Sequence, residues 1–427
     1  MNTAMNTELT VAAWPGLVPR LLRSAPGVET RADYHGYLPL TDAGALLDEI
    51  RRAGVLGRGG AGFPMSVKLT TVREAALRGL DTVLVANGEE GEPASIKDRW
   101  LLRHRPHLVL DGLRLAAQLV GACHTHVYVS DVLAAEAIRS ALGELPPAAL
   151  DGVTVGVRMV EPGYVAGEET AAVRAINGGP AKPTDKPPRP FEQGVGGLPT
   201  LVSNVETLAN LPYVHQHGAA AYRQAGTDDS AGTFLATLTG AGRAPGLYEI
   251  PHGTPMAELL ALHGIAEERV RGALMGGYFA GLLDRQILDI TLDHESLRSL
   301  GSGLGCGAVS VLTDECPVAV AASVLAYFDR ENAGQCGSCF NGTAAMAAAA
   351  GALRDGAATA DDLARLQRWS VFLRGRGACA TLDAATNIAA SLLATFPDEV
   401  ARHLDNRCPD CGEGAFTAQR AFQVEAL

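Results

Sequence analysis

The sequence predicts an α/β domain, then a small β-rich domain, then a helical C-terminal region. Three observations carry this. Short apolar runs alternate with helix-periodic segments up to about residue 225. From Thr233 the text changes to closely spaced strand-like runs around a glycine-rich turn. From Cys316 to about Arg402 nearly everything has helical character. The resulting division is a lead-in at 1–40, an α/β domain at 41–225, a β-rich domain at 233–315, a helical domain at 316–404 and a tail at 405–427.

Each element has its own reason. DAGALLDEIRRA, residues 42–53, has helical spacing with Thr41 or Asp42 as cap. Thr82–Ala86 is an apolar run that reads as a buried strand ending at Asn87. Leu108–Gly121 reads as a helix, and His126–Val129 and Val153–Val160 as further strands. Gly178–Pro199 is rich in Gly and Pro and too long for an ordinary connector, so it reads as an ordered functional loop. TFLATLTG, the turn at 240–246, LYEIPHGTP and Met256–His263 read as strand, hairpin, strand and helix. Leu288–Leu292 and Val309–Leu312 add strands, giving a small β-grasp-like domain.

Composition sets limits. The chain has 427 residues, 47% of them hydrophobic, enough for a sizeable core. Its net charge of −12 argues against a nucleic-acid partner, whose phosphates need Lys and Arg. No apolar run reaches membrane length, and MNTAMNTELTVAAW lacks the basic and apolar blocks of a signal peptide. The expectation is a cytoplasmic protein that meets a membrane only indirectly, through a complex. Eight cysteines in a reducing compartment favour thiols or metal ligands over disulfides.

Four polar segments punctuate the α/β region. Gly57-Arg58-Gly59-Gly60-Ala61-Gly62-Phe63-Pro64 presents bare backbone N–H groups, which suit phosphate, with Arg58 and Lys68 supplying charge. Taken alone, the loop also fits a tight helix-to-strand turn. Asn87-Gly88-Glu89-Glu90-Gly91-Glu92-Pro93 sits at the end of a predicted strand, where α/β sheets bind ligands. Gly163-Tyr164-Val165-Ala166-Gly167-Glu168-Glu169-Thr170 and Val202-Ser203-Asn204-Val205-Glu206-Thr207 follow, and each in isolation reads as a turn or helix cap.

Together, GRGGAGFP…K, NGEEGEPASIKDR, GYVAGEETA, KPP…P and NVETL resemble one family in order and spacing. It is the family of NADH-binding FMN flavoprotein subunits of respiratory complex I, which includes the diaphorase subunits of NAD-linked hydrogenases and formate dehydrogenases. The resemblance runs from about residue 40 to 400. It implies a Rossmann-like FMN/NADH-binding domain, a β-grasp-like (SLBB-type) domain and a C-terminal helical bundle. Gly57, Arg58, Gly59, Gly60 and Lys68 would then surround the FMN phosphate and ribityl chain. Asn87, Glu89 and Glu90 would approach the flavin. Tyr164, Gly167, Glu168, Ser203, Asn204 and Thr207 would complete the pocket, with Glu92 and Glu169 on the NADH side. The implied activity passes electrons from NADH through FMN to a [4Fe–4S] cluster. The acceptor beyond it would be an iron–sulfur subunit or ferredoxin-like protein. NADPH in place of NADH stays open, as does a different electron donor. No catalytic side chain is implied, because the cofactor carries the chemistry.

The chain departs from the family pattern in two places. Leu69-Thr70-Thr71 and Arg189 stand where the family carries aromatic rings that stack on the nucleotide. In the cluster motif, Cys336, Cys339 and Cys379 match thiolate ligands, but Ala333 occupies the position of the first. Three readings follow. A cluster takes its fourth ligand from Cys306, Cys316, the tail pair, water or a carboxylate. Alternatively Cys336, Cys339, Cys408 and Cys411 hold zinc. The third reading is a decayed site in a non-catalytic scaffold or assembly paralogue. Cys123, His124, His126 and His403 read as structural.

Overall fold

The computed structural model describes residues 8–23, 27–146, 148–411 and 415–425. The first seven residues of the N-terminal stretch read above lie outside these. The fold is mixed α/β, with a parallel sheet, a second mixed sheet and a helical C-terminal region.

The first sheet has four parallel strands in the order Thr154–Met159, His124–Val129, Val83–Asn87 and Thr200–Asn204. Val83–Ala86 is fully buried, which explains its uninterrupted apolar text. The register pairs Asn87 with Asn204, so two of the four polar segments begin side by side at one edge of the sheet.

Helix Ala43–Ala53 starts at Asp42, whose side chain accepts from the Ala45 N–H, and stops at Gly54 in the left-handed region. The glycine loop follows, and Pro64 then caps helix Met65–Leu77. The loop therefore does open a helix, although it follows a helix rather than a strand. Helix Pro106–Val120 is buried on nearly every side. Its Asp111 and Arg114 pair at 2.7 Å, and Tyr34 donates to Asp111 at 2.8 Å, tying the lead-in to the helix. At Gly112 an added Cβ would lie 2.1 Å from the Leu208 carbonyl oxygen. The helix thus meets the NVETL segment backbone to backbone.

The second sheet has six strands in the order Thr10–Ala13, Gly246–Pro251, Thr233–Gly240, Ala308–Leu312, Gly272–Met275 and Leu282–Asp284. Two features depart from expectation. Part of the lead-in is an edge strand, parallel to Gly246–Pro251. Buried Glu249 secures it by accepting the backbone N–H groups of Arg20, Leu21 and Leu22 and the hydroxyl of Thr233. The strand expected at 288–292 is a 3-10 turn, Arg285–Asp289, followed by the two-residue strand Thr291–Leu292. Asp284 caps that turn and Asp293 caps the next helix, leaving little extended chain between them.

Helices Pro317–Glu331, Gly337–Arg354, Ala360–Phe372, Thr381–Thr395 and Pro397–Leu404 complete the chain. Their core includes Tyr278 and Leu282 of the second-sheet region and packs on Tyr164 of the first domain. Among the described residues no helix is long and apolar enough to cross a membrane.

The Gly112–Leu208 contact yields a stability prediction. Gly112→Ala must push Val205–Ala209 away, and overpacking of this kind costs about 1–3 kcal/mol. Urea denaturation should show that loss, whereas Gly143→Ala, where an added Cβ meets nothing, should not.

Candidate functional site

A cavity of about 440 Å³ opens where the strand ends, the glycine loop, the second sheet and the helical region meet. Its lining includes Gly57, Gly59, Gly60, Lys68, Asn87, Glu89, Glu90, Glu92, Tyr164, Gly167, Glu168, Glu169, Ser203, Asn204 and Thr207. Of the residues singled out for cofactor binding, Arg58 alone is missing from that wall.

Arg58 requires a correction. Its side chain is only 4% exposed and turns inward. The guanidinium donates to Tyr222 Oη and the Thr233 carbonyl and lies 3.8 Å from Glu206. Only its backbone serves the loop, through a 2.8 Å bond from N–H to Thr207 Oγ1. The cation at the wall is Lys68, whose Nζ donates to the Val202 carbonyl at 3.2 Å and lies 3.8 Å from Glu169.

The loop itself fits a phosphate-bearing group. Gly60 has φ +119°, and a Cβ there would point into open space. Asn87 donates to the Gly167 carbonyl at 2.7 Å, joining the second polar segment to the third. Glu168 caps helix Glu169–Ile176 and pairs with Lys186 at 2.5 Å. Glu90 is committed to the start of helix Lys97–His104, accepting from Ser95 Oγ and from the Asp98 and Arg99 N–H groups. Its position in the wall is therefore mainly a brace.

Two carboxyls in the wall are shifted by desolvation. Glu89 is pushed up to about 7, opposed by its hydrogen bonds. Glu92 is pushed up to about 8, although it accepts from the Tyr278 and Ala94 N–H groups. Both are partly protonated near neutrality, so they can donate as well as accept.

Several liners are not among the residues expected at the cofactor, although Cys306 is one of the candidate cluster ligands named from the sequence. Gly276, Phe279, Gly305 and Cys306 reach the cavity from the second sheet's loops. Phe63 and Phe279 are 46% and 37% exposed and present rings to the cavity. Leu69, by contrast, is in the core, and the Thr70 and Thr71 hydroxyls bond back to their own helix. Arg189 is exposed, with its N–H held by Glu192.

The three thiols expected at a cluster do converge. Cys336 caps helix Gly337–Arg354, Cys339 lies in its first turn, and Cys379 precedes helix Thr381–Thr395. The Ala378 N–H points at Cys336 Sγ at 3.4 Å. Burial, then the neighbouring Cys379 and Cys336, push the Cys339 thiol up to about 12. Cys379 also lines the cofactor cavity, together with Ala380 and Thr381. Ala333 brings only a methyl group, and its carbonyl accepts from Lys182 at 2.8 Å. The donor set thus fits three corners of a cluster, not a fourth thiolate at 333. The zinc reading that joined Cys336 and Cys339 to the tail pair is corrected. Cys408 and Cys411 gather instead with Cys316 and His403. His403, read from the sequence as structural, is the histidine of that group.

Comparison with known families decides the lineage. The Nuo51 FMN-binding domain matches residues 50–213, and the NADH-ubiquinone oxidoreductase-F iron-sulfur binding region matches 319–403. An NADH-quinone oxidoreductase subunit of Rhizobium meliloti is 32% identical over 380 residues, covering 85% of this chain and 90% of that protein. The chain belongs to this family of flavoprotein subunits. The mitochondrial NADH dehydrogenase [ubiquinone] flavoprotein 1 of Dictyostelium discoideum is 32% identical, covering 88% of this chain and 82% of its own. A chain of an NAD+-reducing [NiFe]-hydrogenase superposes with a TM-score of 0.76 at 32% identity over 85% of this chain. The present chain spans 63% of that hydrogenase chain. The family's FMN-binding domain therefore coincides with the glycine-loop cavity, and its iron–sulfur region with the three converging thiols.

The raised carboxyls set a pH dependence. The folded chain keeps a proton on Glu92 that the unfolded chain releases above about pH 4.5. That contribution is complete below the unfolded value and is lost as pH rises toward about 8. Glu89 acts in the same direction. The melting temperature of Glu92→Gln should therefore fall less than the parent's between about pH 5 and pH 8. Equal slopes would show that Glu92 titrates normally.

Proposed function

We propose that the chain is an NADH dehydrogenase flavoprotein subunit. It would pass electrons from NADH through FMN to a [4Fe–4S] centre and then to an iron–sulfur partner protein. The observation that carries this reading is Cys379, a cluster-motif thiol that stands in the wall of the glycine-loop cavity. One cavity thus borders both the nucleotide-type loop and the thiolate centre.

FMN, when bound, supplies the chemistry of accepting a hydride and releasing electrons singly. The chain's own residues bind and orient. Gly59 and Gly60 would offer backbone N–H groups to the phosphate and Lys68 charge, while the Gly57 N–H donates to the Phe63 carbonyl at 2.9 Å and closes the loop. The Arg58 backbone belongs to the same turn. Asn87 and Glu89 would face the flavin edge, while Glu90 braces the segment. Tyr164, Gly167, Glu168, Ser203, Asn204 and Thr207 shape the remaining wall. Glu92 and Glu169 would lie toward the nicotinamide nucleotide, and Phe63 and Phe279 would offer it ring surface. Cys336, Cys339 and Cys379 would supply three thiolate ligands to the cluster, and Ala333 would supply none.

The partner follows from the same logic, since a chain with one cluster needs an onward acceptor. Relatives named as oxidoreductase subunits support that reading. The β-grasp-like unit at 233–315 and the helical bundle at 316–404 would form the docking side of a cytoplasmic complex. Ala333 favours one alternative, a paralogue that keeps the fold as a scaffold.

The test is an anaerobic visible spectrum of the purified chain with flavin and iron quantified, before and after NADH. The expected result is bound FMN that NADH bleaches. Lys68→Ala should weaken FMN binding about tenfold, the equivalent of about 1.4 kcal/mol. Flavin that NADH leaves oxidised indicates another donor. A folded chain that resists reconstitution with FMN and iron contradicts the enzyme reading.

A further inference from the structure

Away from the cavity, the cysteines left unused by the electron path converge on one histidine. Cys316 caps helix Pro317–Glu331, His403 lies in the last turn of Pro397–Leu404, and Cys408-Pro409-Asp410-Cys411 follows. His403 Nε2 is 3.1 Å from Cys316 Sγ and 3.8 Å from Cys411 Sγ. Cys408 Sγ is 3.9 Å from Cys316 Sγ. All four ligand atoms lie within 4.8 Å of one another. Cys316 and His403 are buried, at 3% and 2% exposure, and the tail pair is half-buried.

The imidazole is already set as a ligand. Its Nδ1 lies 3.0 Å from the Leu353 carbonyl, which can only accept. The ring proton is therefore on Nδ1, and Nε2 turns its lone pair toward the sulfurs. We propose that Cys316, His403, Cys408 and Cys411 form a structural zinc site of Cys3His type.

Distance selects the metal species. Tetrahedral zinc, with bonds of about 2.3 Å to sulfur and about 2.0 Å to nitrogen, sets ligand atoms roughly 3.5–3.8 Å apart. The spacing here matches a single ion. A cubane needs room for four irons and four sulfides between its ligands, which this group does not provide. Zinc binding would release the three thiol protons to solvent and leave the site with one net negative charge.

The site has a structural consequence for the cavity. The described tail residues 415–425 lie across the molecule. Ser323 donates to the Phe416 carbonyl, Tyr278 Oη to the Ala421 carbonyl, and the Val424 N–H to the Pro93 carbonyl at 2.9 Å. Pro93 adjoins Glu92 in the cavity wall. Zinc would anchor a strap that braces this wall from behind. The inference stands independently of the flavin reading.

The full chain, purified without an immobilised-metal step, should carry about one zinc per chain by mass spectrometry. Cys408→Ser/Cys411→Ser should lose most of it, while Cys336→Ser/Cys339→Ser should keep it. X-ray absorption at the zinc edge of the parent protein, which needs no variant, should show three sulfurs and one nitrogen. Zinc absent from the parent, zinc retained by the tail double variant, or iron lost with the tail pair would each overturn the site.

Discussion

Lys97 is 1% exposed, and its Nζ lies 2.9 Å from Glu206, itself 1% exposed, and 2.7 Å from Asp98. The geometry of the cavity depends on this buried knot. Asn204 donates to Asp98 at 2.6 Å, and Glu206 accepts the Leu235 N–H at 2.9 Å and faces Arg58. Four parts of the chain are thereby joined: the glycine loop, the NGEEGEPASIKDR segment, NVETL and the second sheet. Asp98 and Glu206 hold the Lys97 ammonium charged despite its burial. Such a group is costly to desolvate, and it is tolerated only while every partner is in place. The knot thus trades stability for a fixed arrangement of the cavity walls.

Around it, the arrangement suits electron transfer. The first sheet brings Asn87 and Asn204 to one edge, the glycine loop faces them, and Cys379 closes the far side. A group seated in the loop would lie between the nucleotide side and the thiols with no intervening domain. Phe63 and Phe279 add apolar surface to the cavity wall. The tail supports the same wall from outside through the Val424 N–H, which donates to the Pro93 carbonyl.

Much of this was legible in the sequence. Thr82–Ala86 announced a buried strand because both of its faces are covered. The Gly, Asn and Glu segments announced the site because polar text at a strand end has few other reasons to exist. What stayed hidden depends on distant partners. Arg58 reads as a phosphate cation until Glu206 and Thr233, 148 and 175 residues away, draw it inward. Cys316 and His403 are 87 residues apart, so only the Cys408–Cys411 half of the ligand set showed as a motif. The strand Thr10–Ala13 exists through pairing with Gly246–Pro251 rather than through its own pattern. Leu288–Leu292 looked like a strand because its apolar residues outweighed the capping Asp284 and Asp293.

The most direct test of the central claim is a urea-denaturation double-mutant cycle on Lys97→Met and Glu206→Leu. Each single substitution removes one member of a buried charge cluster and leaves the rest unbalanced, which should cost about 3–5 kcal/mol. The double substitution should cost clearly less than their sum, because both charges leave together. Additive losses, or single variants as stable as the parent, would show that the cavity walls are held by something other than this knot.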